Sequence, residues 1–450
     1  MKNPLRYFKV VALVMLGALL LAPAASANGW HKHKHKQPTP VIFVHGSSGS
    51  AQQFETNAMR FTSNGYPDNR LYAYEYDTLA SSNVAAVAGL DGFIADVKAK
   101  TGASQVDILA HSRGTTVMHE YLSTPARAAS VRRYVNFDGR TSASPPGGVP
   151  TLAVWGEGDQ TRAIGGATNV YFPDKAHTEV TTSAEAFADV YKFLTGKRPK
   201  TTQVIPQHFW QVKVSGRALI FPLNIGNAGA RLEIYRVDRD TGARESATPV
   251  HAVTLGADGS FGPFHLLPRK HYEFATVKAG ERTGHYYPEP FERSDHFVRV
   301  LSAPVLTPFI DSGPSHTVIA TTRMREWWGD QATPGENDRL ELDGLNVLNP
   351  ATAPRARRVI AVFAFDKNSD GVTDTSTSLS PFNLLAFLTG VDVYMPASSD
   401  ASGTISVTET VRGSGGHTET INVPNWPSDQ HTVSVYFKDY IRTTTPWWWW

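Results

Sequence analysis

Residues 108–115 read Ile-Leu-Ala-His-Ser-Arg-Gly-Thr, and the serine at their centre decides how the chain around it must fold. It follows the apolar stretch 106–109 and stands between Ala110 and Gly114, small residues two positions to either side. A serine after a buried strand admits two readings. It can cap the next helix through its side-chain oxygen. Alternatively it sits on a cramped strand-to-helix turn that projects its hydroxyl, where small neighbours are needed because backbones pass close by.

The surroundings favour the cramped turn. A helical stretch follows through Leu122, and upstream the strand 41–44 ends in His45-Gly46, as loops that bind an oxyanion do. From Pro38 to about Gly196 candidate strands at 40–44, 71–76, 106–109, 133–137, 151–155 and 169–172 alternate with helical stretches. That alternation predicts an α/β layer with a mostly parallel sheet. The segment 82–99 carries Leu90, Phe93, Ile94 and Val97 at helical spacing. The segment 182–194 opens on a Thr-x-x-Glu capping box and carries Phe187, Val190 and Leu194 on one face. Both stripes read as core. The segment 52–69 is long enough for either a moving lid or a fixed helix.

After Leu194 the text changes. Residues 197–204 are polar, basic and contain proline, which reads as a linker. Beyond it come short alternating strands such as 230–237 and 251–255, separated by turns, as in a β-sandwich or barrel. A sandwich subdomain is expected over 205–295 and a second β-rich subdomain over 296–450, with one enlarged barrel as the alternative.

A serine projecting from such a turn is a candidate nucleophile, and an acyl-transfer serine needs a base, an acid and oxyanion donors. The chain order Ser, acid, His selects His177 in Asp-Lys-Ala-His-Thr-Glu, after the last strand of the layer. His45 shapes its loop, His111 belongs to the turn and His119 falls within the next helix. The backbone N–H groups of Ser47 and Arg113 are the expected oxyanion donors. Two acids compete: Asp138 ends the strand after the serine's helix, and Asp159 follows the next strand, the position that the generic order favours.

The segments VHGSSGS, AHSRGT, YVNFDG, PTLAV, ATNVYF and AHTEVTTSAEAF resemble the secreted lipases typified by the Archaeoglobus lipase. That resemblance runs from about residue 40 to 194 and implies an α/β-hydrolase domain, here 40–196, joined to a β-rich C-terminal lipid-binding region. It implies hydrolysis of fatty-acid esters by Ser112 and His177, and it prefers Asp138 over Asp159 as the acid. Ala110 in place of the usual glycine is also similar to small Bacillus-type lipases. Two rivals stand beside this reading: a polyester or polyhydroxyalkanoate hydrolase with the same triad, and a surface-binding protein whose hydrolase domain is inert.

Composition narrows the field further. The formal net charge of the 450 residues is +2, which gives no footprint for nucleic acid. There is no cysteine, so disulfides and thiol chemistry are excluded. Residues 1–27 combine a basic start, an apolar run and Ala25-Ser26-Ala27, the pattern of a secretory signal, so the mature protein is expected to be exported without a transmembrane segment. The His/Lys alternation within 28–39 reads as a solvated spacer. Catalysis is expected to need no cofactor, but Asp366, Asn368, Asp370 and Asp374 match positions of a calcium loop and suggest a structural calcium. Four tryptophans at 447–450 suit either contact with a water–lipid interface or packing over the protein's own apolar surface.

Overall fold

Strands such as Val41-Ile42-Phe43-Val44, apolar on both faces, can be buried only in a sheet covered from both sides. A computed structural model of the protein, which describes residues 37–441, contains that sheet. Its strands are β1 (Val41–Val44), β2 (Leu71–Tyr74), β3 (Val106–His111), β4 (Val131–Phe137), β5 (Thr151–Trp155) and β6 (Thr168–Tyr171). They lie in the order β2-β1-β3-β4-β5-β6, all parallel. The winding direction reverses between β1 and β3, so the loops leaving their carboxyl ends diverge and open a crevice. The register pairs Val44 with Ala110 and thus brings His45-Gly46 beside His111-Ser112.

The helices are α1 (Glu55–Ser63), α2 (Val84–Thr101), α3 (Arg113–Leu122), α4 (Pro125–Ala128), α5 (Glu179–Thr182) and α6 (Ala184–Thr195). Leu90, Ile94, Val117 and Tyr121 pack with Ile42 and Ile108 on one face of the sheet. Phe54, Phe61, Phe187 and Val190 pack with Phe43 and Val135 on the other. The cap of α6 differs by one residue from the expected box. Thr182 completes α5, its hydroxyl donating to Glu179 O at 3.2 Å, and the extended Ser183 accepts from Ala186 N at 3.2 Å.

The stretch that could have been a lid is a fixed helix. Every residue from Glu55 to Phe61 is buried. Lys438 of the β-rich region binds the Glu55 carboxylate, and Thr56 bonds to Asp439. Asn57 Nδ2 donates to Thr181 O at 2.5 Å. The β-rich region also enters the core of the first layer, where Phe297 meets the Phe43 ring edge-on with centroids 5.7 Å apart.

The β-rich region is built on an eight-stranded sheet. Its central strands Thr283–Pro288 and His431–Phe437 are parallel neighbours, and His431–Phe437 continues to Ile319–Arg323 and then Ala361–Phe365. The division expected at residue 295 therefore does not separate two sheets. It falls at the first residue of the strand Asp295–Ser302, which pairs in parallel with Lys213–Ile220. Backbone pairing between strands as distant in sequence as Thr283–Pro288 and His431–Phe437 is invisible to local alternation. Among the described residues no helix is long and apolar enough to cross a membrane. The expected signal at 1–27, nearly all of the spacer and the terminal tryptophans lie outside the described residues.

Loss of the observed cap tests the shifted helix start. Ser183→Ala should lower stability by about 1 kcal/mol, read as a shift in the denaturant midpoint, whereas Thr182→Val should cost less.

Candidate active site

Ser112 does not cap its helix. It precedes α3 at φ 50° and ψ −122° with no side-chain capping bond. A non-glycine residue held there costs about 1–3 kcal/mol, which the surrounding structure must supply. Packing explains the small neighbours. A Cβ on Gly114 would lie 2.5 Å from His45 O and 2.6 Å from Val44 O, and a Cβ on Gly46 would lie 3.0 Å from the Ser112 Cβ. Ala110 is fully buried.

The turn aims the start of α3 at the crevice, where first-turn N–H groups have no helical acceptor and carry partial positive charge. The side chain of Arg113 is occupied elsewhere. It donates to Asn83 Oδ1 at 3.1 Å, Thr78 O at 2.8 Å and Ala80 O at 2.5 Å, so its backbone N–H is what it can offer to a reacting oxygen. Ser47 follows Gly46 on the facing loop, and Gly46 N donates to Gln53 Oε1 at 3.2 Å. His45 is stacked on Tyr76, centroids 4.5 Å apart, and its Nδ1 bonds to Gly46 O at 3.0 Å.

The structure brings His177 to Asp138 and not to Asp159. Asp138 leaves β4 at φ 41° and is buried. His177 Nδ1 donates to its Oδ2 at 2.6 Å, and its Oδ1 accepts Gly156 N at 2.9 Å and pairs with Arg162 at 2.9 Å. Burial works to raise this carboxyl, but its bond to His177, the Gly156 N–H and Arg162 together hold it below the ordinary carboxylate range. Asp159 is exposed and accepts Thr161 N at 2.8 Å and Thr161 Oγ at 2.7 Å, closing its own turn.

His111, the residue before the serine, ties the two loops together. Its Nε2 donates to His177 O at 2.8 Å, and the two rings lie 4.5 Å apart. Gln53 Nε2 donates to His111 Nδ1 at 2.7 Å while Gln53 Oε1 holds Gly46, which places the proton of His111 on Nε2. Burial and the nearby His177 keep His111 well below its ordinary range and therefore neutral. Nothing in the sequence around Gln53 marks this role.

The β-rich region completes the surroundings of His177. Phe387 stacks over its ring with centroids 6.0 Å apart. Glu326 accepts the backbone N–H groups of Thr178 and Glu179, and Arg412 and Arg325 bind the Glu179 carboxylate at 2.5 and 3.1 Å. Arg412 and Arg323 also pair with the buried Asp338 at 2.6 and 3.0 Å. A cavity of about 510 Å³ begins at Ser48, Gly49 and Ser50 and continues between strands of the β-rich region.

The expected calcium loop, Asp366, Asn368, Asp370 and Asp374, folds as a tight turn closed by its own side chains. Asp366 accepts Asp370 N at 3.2 Å and Gly371 N at 3.1 Å, Asp370 accepts Val372 N at 2.9 Å, and Asp374 accepts Ser376 N at 2.9 Å. Asn368 stands at φ 67° within the turn. These carboxylate oxygens close the turn through its own N–H groups, and among the described residues no group of three or more His, Cys, Asp or Glu side chains is arranged to hold a metal ion.

Residues 38–126 match the family model Lipase (class 2), residues 210–305 match Lipase C-terminal domain, and residues 306–441 match a further C-terminal domain model. Solved structures of similar fold include Aspergillus fumigatus lipase B, at 16% identity over 37% of this chain and 54% of that one, TM-score 0.30. A carboxylesterase from Bacillus subtilis is 14% identical over 36% of this chain and 85% of that one, TM-score 0.28. The six-stranded parallel sheet with its helices resembles the α/β-hydrolases.

The ion network behind the His177 loop has a pH signature. Burial would raise the Asp338 carboxyl, but Arg323 and Arg412 bring it from 3.8 down to about 2. Its stabilisation is present above the unfolded value and is lost as pH falls from roughly 4 to 2. Asp338→Asn should lower the melting temperature at neutral pH and flatten its further fall across that acid window.

Proposed function

We propose that this chain, a lipase of the class 2 type with a C-terminal domain and hence a carboxylic ester hydrolase, cleaves long-chain acyl esters through a covalent acyl-enzyme on Ser112. The observation that carries this reading is the 2.6 Å bond between His177 Nδ1 and the buried Asp138, beside a serine held at φ 50°. With its Nδ1–H hydrogen-bonded to Asp138, His177 presents Nε2 to take the hydroxyl proton of Ser112. Ser112 Oγ then attacks the ester carbonyl. The resulting oxyanion is received by the backbone N–H groups of Arg113 and Ser47. Collapse of this intermediate breaks the ester C–O bond, and His177 returns the proton to the departing alcohol. A water molecule repeats the sequence and frees the acid. Asp138 orients the imidazole and stabilises its charged form, and no step passes through a metal or cofactor.

The substrate class follows from the cavity. Val318, Ala320, Thr322 and Met324 alternate along the strand Ile319–Arg323 and the residue at each of its ends, and line the cavity together with Leu306, Ile360 and Val433. At about 3.3 Å per residue that strand face offers a wall of about 20 Å, suited to a long acyl chain. Next to the cavity's lining residues Pro304, Leu306 and Ile310, Val305 and Phe309 expose 47 and 45% of their surface, which favours a substrate met at a lipid surface. The amino-terminal pattern supports export of the enzyme to such substrates.

Turnover of p-nitrophenyl esters tests the residues. Ser112→Ala should abolish it, Asp138→Asn should lower kcat by about 10⁴-fold, and Asp159→Asn should leave it nearly unchanged. Equal losses in the two Asp variants would reject Asp138. A ring placed midway along the cavity tests the substrate: Ala320→Phe should suppress activity on triolein and long-chain esters while sparing the butyrate ester. Faster release of acid from a polyester film than from triolein would favour the polymer instead.

A further inference from the structure

The loop carrying His177 is gripped from behind by a residue that no step above employs. Glu326 lies in Met324-Arg325-Glu326-Trp327-Trp328, just after the strand Ile319–Arg323 of the β-rich region, and has no exposed surface. Enclosing a carboxylate in this way is costly unless its oxygens are bound. Both are. Oε1 accepts Thr178 N, and Oε2 accepts Glu179 N at 3.0 Å. These N–H groups belong to the two residues after His177, at the start of α5, where the helix itself provides no acceptor.

Two backbone donors, one on each oxygen, suit the ionised carboxylate, which accepts on both. Burial pushes Glu326 up, while the Thr178 N–H and the His177 ring pull against that rise. Its backbone is held as well, since its carbonyl accepts Arg323 Nη2 at 3.0 Å and also Arg412 Nη1. The remaining ties on the loop run to other groups: Ala176 N to Glu179 Oε2 at 3.2 Å, and His177 O to His111 at 2.8 Å. The segment that immediately follows the imidazole is thus anchored through Glu326.

We infer that Glu326 is a positioning residue for the ester-hydrolysis reaction: it holds the two N–H groups beside His177 so that the imidazole stands between Ser112 and Asp138, and its negative charge favours the imidazolium formed in the transition state. This rests on the Ser112–His177 reading above. It gives the β-rich region a part in proton transfer itself, separate from any hold on the acyl chain. Small soluble esters, which need no long cavity, depend on it equally.

The test uses the full chain with Glu326→Gln, which keeps one acceptor oxygen but turns an amide donor against the second N–H. On p-nitrophenyl acetate kcat should fall roughly 10- to 100-fold, the scale of a misplaced catalytic group, with KM unchanged. The downfield proton shared by His177 and Asp138 should shift or broaden in the NMR spectrum. Glu326→Asp, charged but shorter, should give an intermediate kcat, and it carries the test if the Gln variant fails to fold. An unchanged kcat accompanied only by a lower melting temperature, or a change in KM alone, would overturn the assignment. Should the unmodified protein hydrolyse no ester, the Ser112–His177 reading fails. The NMR proton then decides the positioning role by itself, and an unperturbed resonance in Glu326→Gln would refute it.

Discussion

The start of α3 lies against the end of β1, so close that a single carbon on Gly114 would strike the carbonyl oxygens of Val44 and His45. From that contact the site follows. It forces the chain to leave β3 through a residue with positive φ, which lifts Ser112 out of the sheet. It sets the His45-Gly46 loop alongside, and it leaves unpaired helix N–H groups facing the same gap. The strain at Ser112 is maintained because strands on both sides are fully buried and cannot relax. The neighbouring register of β1 and β3 places this contact at the reversal of sheet winding, where a crevice exists in any case.

Much of this was legible in the residues. Ala110 and Gly114 signalled steric crowding, and apolar strands alternating with helices signalled the parallel sheet. Strand order alone did not separate Asp138 from Asp159, because both end strands in the right order, and only the resemblance preferred Asp138. It turns on three dimensions: Asp138 is enclosed with His177 and Arg162, while Asp159 folds back on Thr161. The calcium pattern is ambiguous for a related reason. Asp and Asn at alternate positions serve a tight turn as well as they serve a cation, and only the direction of the oxygens separates the two. Gln53 and Glu326 carried no local mark at all, since their partners lie 58 and 148 residues away in sequence.

The β-rich region is joined to the hydrolase layer by charge as much as by apolar packing. Lys438 sits between Glu55 and Asp295, Arg299 meets Glu75 at 2.6 Å, and Arg412 reaches Glu179, all with little or no exposed surface. Such pairs add little net stability compared with a well-packed apolar contact, but a mismatched partner would strand a charge without solvent. They therefore act mainly on register, admitting one orientation of the β-rich region on the layer. That orientation is the one that lays Phe387 over His177.

Enclosed ion pairs of this kind also set how the joint responds to its medium. Dissolved electrolyte weakens attraction between charges that water surrounds, and does so far less where solvent is absent. The seam between the two halves therefore keeps far more of its attraction in concentrated salt than surface ion pairs would.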